Sequence, residues 1–267
     1  MAIHHTAVIA PGAVVAEDVE VGPYAVVGPN VTLAAGVQLG AHVVISGHTS
    51  LGEHTRVFPH AVLGEEPQDK KYSGEPTRLE IGSHNIFREF ATANRGTEGG
   101  GGVTSIGDHN LFMAYSHVAH DCQIGNHCVL ANCASLAGHV TVQDNAILAG
   151  LTAVHQHSRI GRFAMLAGGA KVAQDVPPFA IAQGDRARLF GLNIVGLRRG
   201  GFARESMHSL RSAYRDLFQQ GIPLRVALVQ VSEAYADIPE VQELVSFIEG
   251  SRRGICRSAA ADPAPGE

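Results

Sequence analysis

The chain has 267 residues, 45% of them hydrophobic and 17% charged, and its formal net charge is −5 at pH 7. This composition is typical of a globular protein, and the lack of a basic excess argues against nucleic-acid binding. The N-terminus lacks the features of a signal peptide, and no apolar run approaches the roughly 18 residues that a membrane span needs. We therefore expect a cytoplasmic protein.

Apolar residues recur at every sixth position along most of the chain. One series runs without a break from Ile3 to Leu63 and a second from Ile106 to Val172. The position four residues further on is small or β-branched, as at Ala134, and the residue just after the apolar one is often glycine, as at Gly125. A period of six fits a short strand plus a turn, three of which close one triangular coil. The pattern resembles the hexapeptide-repeat family, which implies a mainly β protein, a left-handed parallel β-helix, here over residues 1–185.

Two segments, 65–78 and 98–105, interrupt this period. Loops that leave a regular solenoid often serve binding or assembly. The second loop contains EGGGG at Glu98–Gly102, a composition that predicts flexibility. Three cysteines, Cys122, Cys128 and Cys133, lie within the repeat, and we expect them to be small buried residues.

The pattern changes after Pro177 and Pro178. From about Ala203 the apolar residues follow a helical stripe, and 224–236 and 241–249 predict two further helices. We therefore predict a small C-terminal helical domain over residues 186–256. The polar, Ala- and Pro-rich end, 257–267, predicts a disordered tail.

Histidine spacing gives the first indication of a site. His120, His139 and His155 are 19 and 16 residues apart, close to the 18 residues of one coil. We expect them to stack on adjacent coils along one face, at the separation of neighbouring strands, about 4.8 Å. Three aligned imidazoles favour a functional site over scattered surface histidines.

His120 is the candidate catalytic base. Asp121 follows it directly, and a carboxylate beside a histidine can fix its tautomer and stabilise the imidazolium that forms on proton uptake. Gly138 lies one coil further on, where a backbone N–H could face a developing oxyanion. This combination favours acyl transfer. A zinc site of the gamma-class carbonic anhydrase kind is an alternative on the same scaffold, but the spacing of His117 and His120 differs from that family's paired histidines.

Seven motifs carry a closer resemblance, and they extend over nearly the whole chain: QDKKYSGEPTRLEIG, NRGTEGGG, SHVAHDCQIGNHCVLAN, LAGHV, AVHQH, VAQDVPPFAIAQG and FGLNIVGLRR. They are similar to those of the acyl-[acyl-carrier-protein]–UDP-N-acetylglucosamine O-acyltransferases of lipid A synthesis. The resemblance implies a homotrimer with active sites between subunits. It also implies transfer of an (R)-3-hydroxyacyl group from acyl carrier protein to the sugar 3-hydroxyl, with no metal or other cofactor.

The same resemblance assigns the remaining site residues. His120, oriented by Asp121, would be the base, and the Gly138 N–H would stabilise the oxyanion. The resemblance places the other contacts to substrate at Asp69, Lys71, His117, His139, His155, Gln156, Gly168, Asn193 and Arg199. Gly168 matches the position that closes the acyl pocket, and its small size favours a long acyl chain.

Residues 186–215 hold seven arginines and one acidic residue, a patch that would steer an acidic carrier protein. The sequence departs from the family pattern at two positions, with Asn94 in place of the usual His and Val195 in place of the usual Glu. In the family both positions lie near the sugar nucleotide, so an acceptor sugar with a 3-amino group is an alternative. The sequence also leaves open the later N-acyltransferase of the same pathway, which carries an extra N-terminal domain, and a purely structural β-helix.

Overall fold

The computed structural model describes residues 2–259. Its strands are short, and up to Met165–Leu166 they pair in parallel with the strand three further along the chain, so that three sheets form the faces of a triangular prism. The first face ends differently, because Ala180–Gln183 follows Met165–Leu166 in it and pairs with Arg188–Leu192 in antiparallel. This is the parallel β-helix that the period of six predicts.

The first face has eleven strands, the second nine and the third eight, within residues 2–259. The first face consists of Ala2–Ile3, Glu20–Val21, Gln38–Leu39, Arg56–Val57, Ile86–Phe87, Leu111–Phe112, Val129–Leu130, Ile147–Leu148, Met165–Leu166, Ala180–Gln183 and Arg188–Leu192. The second consists of Val8–Ile9, Val26–Val27, Val44–Ile45, Val62–Glu65, Thr92–Asn94, His117–Val118, Ser135–Leu136, Ala153–Val154 and Lys171–Val172. The third consists of Val14–Val15, Val31–Leu33, His48–Leu51, Arg78–Ile81, Val103–Ile106, Gln123–Ile124, Thr141–Val142 and Arg159–Ile160.

The sixth-position side chains fill the interior of the prism. Leu63, Leu130 and Leu148 are fully buried, and the rings of Phe87 and Phe112 stack at 4.4 Å on successive coils. Adjacent coils thus bury a continuous column of apolar side chains, which no single coil could shield by itself.

The corners explain most of the histidines. Most turns at the corners have a residue with positive φ, a conformation that few residue types other than Gly, Asn, Asp and His adopt readily. Eight histidines hold such positions: His42, His54, His60, His84, His109, His127, His139 and His157. Their number therefore follows from the geometry of the corners, whereas His117 and His120 have ordinary backbone conformations and need another explanation.

One corner carries both loops. The corner between the second and third faces, called here the His120 corner, consists of 66–77, 95–102, 119–122, 137–140 and 155–158 on successive coils. The second loop lies about three residues before its predicted position, because the strand Val103–Ile106 already belongs to the third face. The segment expected to be flexible contains a 3₁₀ turn, Glu98–Gly100.

The C-terminal part contains four helices within the described residues: α1 (Ile194–Arg199), α2 (Arg204–Phe218), α3 (Leu224–Ala234) and α4 (Pro239–Glu249). Helix α1 was not predicted, since six residues are too few to show a helical period. The helices share a core that includes Leu210 and Leu244, and Arg162 of the solenoid pairs with Glu243 of α4 at 2.7 Å. None of these helices is long and apolar enough to span a membrane.

The start of the predicted disordered tail needs correction. The backbone N–H of Leu189 donates to the carbonyl of Arg257 at 2.8 Å, and Leu189 forms an isolated bridge with Ser258. Residues 257 and 258 are therefore fixed against the last strand of the first face. The rest of the predicted tail, 260–267, lies outside the described residues.

Candidate active site

Asp121 is the centre of the His120 corner. Its side chain is 1% exposed, and its Oδ2 lies 2.7 Å from Nδ1 of His120. Thr97 donates to the same carboxylate twice, from its backbone N–H to Oδ1 at 2.8 Å and from its hydroxyl to Oδ2 at 2.7 Å. The backbone N–H of Asp121 donates to the Thr104 hydroxyl at 2.8 Å. A buried carboxylate is costly unless it is paired and hydrogen-bonded, and this one is both.

The contact with Asp121 determines which nitrogen of His120 can act. An ionised carboxylate only accepts, so Nδ1 of His120 is the protonated nitrogen. Nε2 of the neutral ring then carries the lone pair. The side chain is 12% exposed, so the ring is held in place yet still reaches the surface. This arrangement is suited to a general base.

Gly138 lies directly against the His120 ring. A methyl group on its Cα would come within 2.5 Å of Cε1 and 2.7 Å of Nε2, too close for any other residue to fit without moving the ring. Among residues 2–259, no acceptor pairs with the backbone N–H of Gly138. A free N–H beside the candidate base is the donor that a developing oxyanion needs.

The predicted histidine stack is wrong in its register. The column through Asp121 continues to His139 and His157, whose rings stack at 4.4 Å, while His120 meets His139 edge-on at 5.1 Å between ring centroids. His155 lies two residues before that column and is exposed, with its Nδ1 3.2 Å from the carbonyl oxygen of Gln156. Spacings of 19 and 16 residues differ from a coil of 18, and these small differences move a side chain to another column.

The two histidines nearest to His120 favour the neutral form. Burial lowers the pKa of His117, and the neighbouring His120 lowers it further. The Nδ1 of His117 lies 2.7 Å from the Thr92 hydroxyl. Burial also lowers the pKa of His139, against the opposing effect of the Asp121 and Asp69 carboxylates. Neutral imidazoles can exchange hydrogen bonds with a sugar without adding positive charge beside the base.

The loop 66–77 brings Asp69 to this corner, where its carboxylate influences the His139 ring. The Lys71 side chain is exposed, and its backbone N–H donates to Asp69 Oδ1 at 3.0 Å. Asn94 fixes the base of the loop, since its buried amide donates to the carbonyl of Glu66 at 2.9 Å. Asn94 therefore acts on the loop that carries Asp69.

Asn193 and Arg199 lie elsewhere, in a cavity of about 570 Å³ beside α1 on the first face, called here the α1 pocket. Asn193 is buried, and both ends of its amide are used: Oδ1 accepts from the Gly196 N–H at 3.0 Å and Nδ2 donates to the Phe163 carbonyl at 3.0 Å. Arg199 and Val195 are exposed at the rim. In a triangular prism the first face is opposite the His120 corner, so one chain does not bring these residues to His120.

Gln156 and Gly168 also lie apart from each other. Gln156 is exposed and belongs to the His120 corner, on the coil after Gly138. Gly168 lies at the corner between the first and second faces, and a methyl group there would meet only the Gly150 carbonyl oxygen, at 3.6 Å. The described residues therefore leave open space beside Gly168.

Sequence reasoning missed Thr97, Thr104 and Thr92. Thr97 belongs to the NRGTEGGG motif, which indicated the loop but not the bond to Asp121.

His120, Asp121 and His139 offer ligand atoms within 4.8 Å of one another. A metal ion there would have to displace the hydrogen bonds from Thr97 and His120 to the carboxylate, so these residues suit a base better than a metal centre.

The fold and the site define the class of the protein. The family model of bacterial transferase hexapeptides matches residues 2–35 and 104–138, so the β-helix is that of a hexapeptide-repeat transferase. A second family model, described as Udp N-acetylglucosamine O-acyltransferase, domain 2, matches residues 175–256. The chain belongs to the acyl-[acyl-carrier-protein]–UDP-N-acetylglucosamine O-acyltransferase family of lipid A biosynthesis.

The similarity extends over almost the full length. The family members from Xylella fastidiosa and Thiobacillus denitrificans are 51% and 52% identical to the chain, which covers 97% and 99% of their lengths, with 96% of the chain aligned in each case. The solved UDP-N-acetylglucosamine acyltransferase of Francisella novicida superposes with a TM-score of 0.94 at 36% identity, over 97% of this chain and 98% of that one. The enzyme from Moraxella catarrhalis gives 0.93 at 40% identity, over 96% and 100%.

These comparisons confirm the left-handed β-helix with C-terminal helices, and they confirm an acyltransferase. They favour the O-acyltransferase over the later N-acyltransferase, the zinc hydratase and a structural β-helix.

Proposed function

We propose that the chain transfers an (R)-3-hydroxyacyl group from acyl carrier protein to the 3-hydroxyl of UDP-N-acetylglucosamine, the first step of lipid A synthesis. The observation that carries this proposal is the 2.7 Å contact between His120 Nδ1 and the buried Asp121 carboxylate, which leaves Nε2 as a base at the surface. The relatives' names supply the substrates.

The proposed reaction is a direct acyl transfer. Nε2 of His120 takes the proton of the sugar 3-hydroxyl as the oxygen attacks the thioester carbonyl, and Asp121 stabilises the resulting imidazolium. The tetrahedral oxyanion accepts from the Gly138 N–H. The C–S bond then breaks, and the departing thiolate of the carrier takes the proton from His120. The products are the O-acylated nucleotide and the free carrier thiol.

We propose a site shared between subunits of a homotrimer. One chain contributes His120 with the substrate contacts Asp69, Lys71, His117, His139, His155 and Gln156. Asn193 and Arg199 lie across the prism, so they would contact the nucleotide bound at a neighbouring subunit's His120 corner. Gly168 would border the acyl tail, and the open space beside it suits a long chain.

The carrier protein is the proposed macromolecular partner. Six of the arginines in 186–215 are exposed: Arg186, Arg198, Arg199, Arg204, Arg211 and Arg215. These six positive charges are clustered in a chain whose net charge is −5. The cluster would steer an acidic carrier towards the helices. We also propose that residues 1–185 and 186–256 act as two domains and that the enzyme works in the cytoplasm.

A 3-amino acceptor is the second candidate. Asn94 replaces the family's usual His, and its amide is engaged by the loop that carries Asp69. Val195 replaces the usual Glu at the rim of the α1 pocket and is 59% exposed. Both replacements remove a titratable group from the surroundings of the sugar nucleotide.

Product analysis by mass spectrometry tests the proposal. The protein is mixed with hydroxyacyl carrier proteins of several chain lengths and with either UDP-N-acetylglucosamine or its 3-amino analogue. The proposal predicts acylated UDP-N-acetylglucosamine, with a preference for long chains. No acylated nucleotide with any chain length would refute it, and acylation of the amino sugar alone would favour the second candidate.

Mixed oligomers test the shared site. Chains with His120→Ala and chains with Arg199→Ala are each expected to be nearly inactive. Unfolded together and refolded, they should regain part of the activity, because some sites then combine an intact His120 with an intact Arg199. Activity no higher than that of either variant alone would place both residues in a site of one chain.

A further inference from the structure

The loop 95–102 covers a single position of the His120 corner. Asp121, His139 and His157 occupy equivalent places on three successive coils, and all three have positive φ. The Asp121 side chain is 1% exposed, the His139 side chain is 27% exposed, and His157 is exposed. The difference arises because the segment 97–100, from the preceding coil, lies over Asp121.

Thr97 makes the main contacts in this cover. Its backbone N–H and its hydroxyl donate to different oxygens of Asp121, at 2.8 and 2.7 Å. The two bonds fix both the position and the rotation of the carboxylate, which a single bond could not do. Hydrogen bonds to a buried charge are also among the stronger ones in a protein.

The 3₁₀ turn holds the backbone of Thr97 in place. The carbonyl of Thr97 accepts from the N–H of Gly100 at 3.0 Å and from that of Gly102 at 2.8 Å. Thr97 is itself extended, with φ −117° and ψ 154°, and its side chain points away from the turn towards Asp121. The glycine-rich segment therefore holds the Thr97 carbonyl by two backbone hydrogen bonds.

Gly100 allows the close approach. A methyl group on its Cα would overlap the carboxylate carbon and both carboxylate oxygens of Asp121. The neighbouring Gly99 has open space at the same position. Only one of the two glycines is thus required by contact with Asp121.

We propose that Thr97 is a positioning residue for the catalytic base and that Gly100 is the residue that lets its loop reach Asp121. Thr97 holds the Asp121 carboxylate in the orientation that receives the Nδ1–H of His120, and the turn keeps water from that carboxylate. The inference rests on the proposed role of His120. Without Thr97 the carboxylate could rotate, and the Nε2 lone pair would no longer be held towards the sugar hydroxyl.

Substitution of Thr97 tests this inference. Thr97→Val removes the hydroxyl but keeps the shape, Thr97→Ser restores the hydroxyl, and Thr32→Val makes the same change at an exposed strand position of another coil. For Thr97→Val we expect kcat to fall roughly 10- to 100-fold with both KM values unchanged, as suits a lost bond to a charged group. Thr97→Ser and Thr32→Val should stay within about threefold of the unsubstituted enzyme. The inference would be overturned if kcat of Thr97→Val equalled that of the unsubstituted enzyme, or if the substitution changed only the KM values.

Proton NMR gives a readout that needs no turnover. The hydrogen between His120 and Asp121 should give a downfield N–H resonance that disappears in His120→Gln. We expect Thr97→Val to lose it through exchange with water and Thr97→Ser to keep it. If the resonance persists in Thr97→Val, Thr97 does not position the carboxylate, even if kcat falls. If all variants give the expected resonances but the unsubstituted protein shows no turnover, only the proposed function is overturned.

The glycine pair gives an independent check. Gly100→Ala should lose the resonance and lower kcat, while Gly99→Ala should do neither. Circular dichroism of both variants verifies that the β-helix is intact. Identical behaviour of the two alanine variants would show that the loop has no specific contact with Asp121.

Discussion

Gly138→Ala is the most informative single change in the solenoid. The added methyl would lie 2.5 Å from Cε1 of His120, about 0.9 Å short of an ordinary contact. The backbone at Gly138 is tied into the coil, since its carbonyl accepts from the His157 N–H at 3.1 Å. The His120 ring can move towards its exposed side, so we expect the imidazole to move rather than the backbone of the turn that contains Gly138.

The size of the effect follows from that displacement. A misplacement of about 1 Å at a reacting group costs roughly 100-fold in rate, which corresponds to about 2.7 kcal/mol in the barrier. The variant keeps the Gly138 N–H, so the loss reports on the position of His120 and not on the oxyanion donor. We therefore expect kcat to fall about 100-fold.

The assay is the steady-state rate of nucleotide acylation, with Gly28→Ala as the matched control. A methyl at Gly28 meets nothing closer than 3.4 Å, so that variant should keep its activity. Thermal unfolding of both variants separates a local shift from a general loss of stability. A Gly138→Ala enzyme within about threefold of the normal kcat would refute the packing of His120 on Gly138 as the reason for glycine there.

Three further predictions concern stability and reactivity. Phe112→Ala should lower the free energy of unfolding in urea by about 3–5 kcal/mol, because Phe112 is 1% exposed and stacks on a ring one coil away; a loss below about 1 kcal/mol would contradict the packing. Burial lowers the pKa of His117 from 6.5, so the unfolded chain binds protons that the folded chain does not, and stability should fall as the pH drops below about 6.5. The measurement is the urea midpoint as a function of pH. If the midpoint of His117→Gln depends on pH as strongly as that of the unsubstituted protein, His117 is not the cause. Burial raises the pKa of the Cys122 and Cys128 thiols to about 12. Alkylation of the native protein at pH 8 should therefore spare both and modify the exposed Cys133. Peptide mass mapping measures the labelling, and equal labelling of the three cysteines would contradict the prediction.

The repeat allowed the scaffold to be predicted almost completely. A period of six fits a short strand plus a turn, so the interior residues could be placed by counting, while the second loop was displaced by about three residues. Cys133 was expected to be buried and is exposed, because it holds a corner position with positive φ while its neighbour Ala134 fills the interior. The short helix α1 and the strand pair 180–192 lie beyond the repeat, and there the sequence has no comparable period.

The site was predicted less completely, for a geometric reason. His120, Asp121 and Gly138 follow from adjacency and from a spacing of one coil. The stack failed at His155, since a shift of two residues moves a side chain from one column to another. Thr97 could not be predicted because its partner lies 24 residues away, across a loop whose conformation the repeat does not determine.

The position of His120 beside a buried carboxylate is the basis of the proposed chemistry. The most direct test is the turnover number of His120→Ala with UDP-N-acetylglucosamine and a hydroxyacyl carrier protein. We predict a kcat at least about 100-fold below that of the unsubstituted enzyme, as expected for the loss of a general base, with binding of both substrates unchanged. A kcat within about threefold would contradict the assignment of His120 as the base.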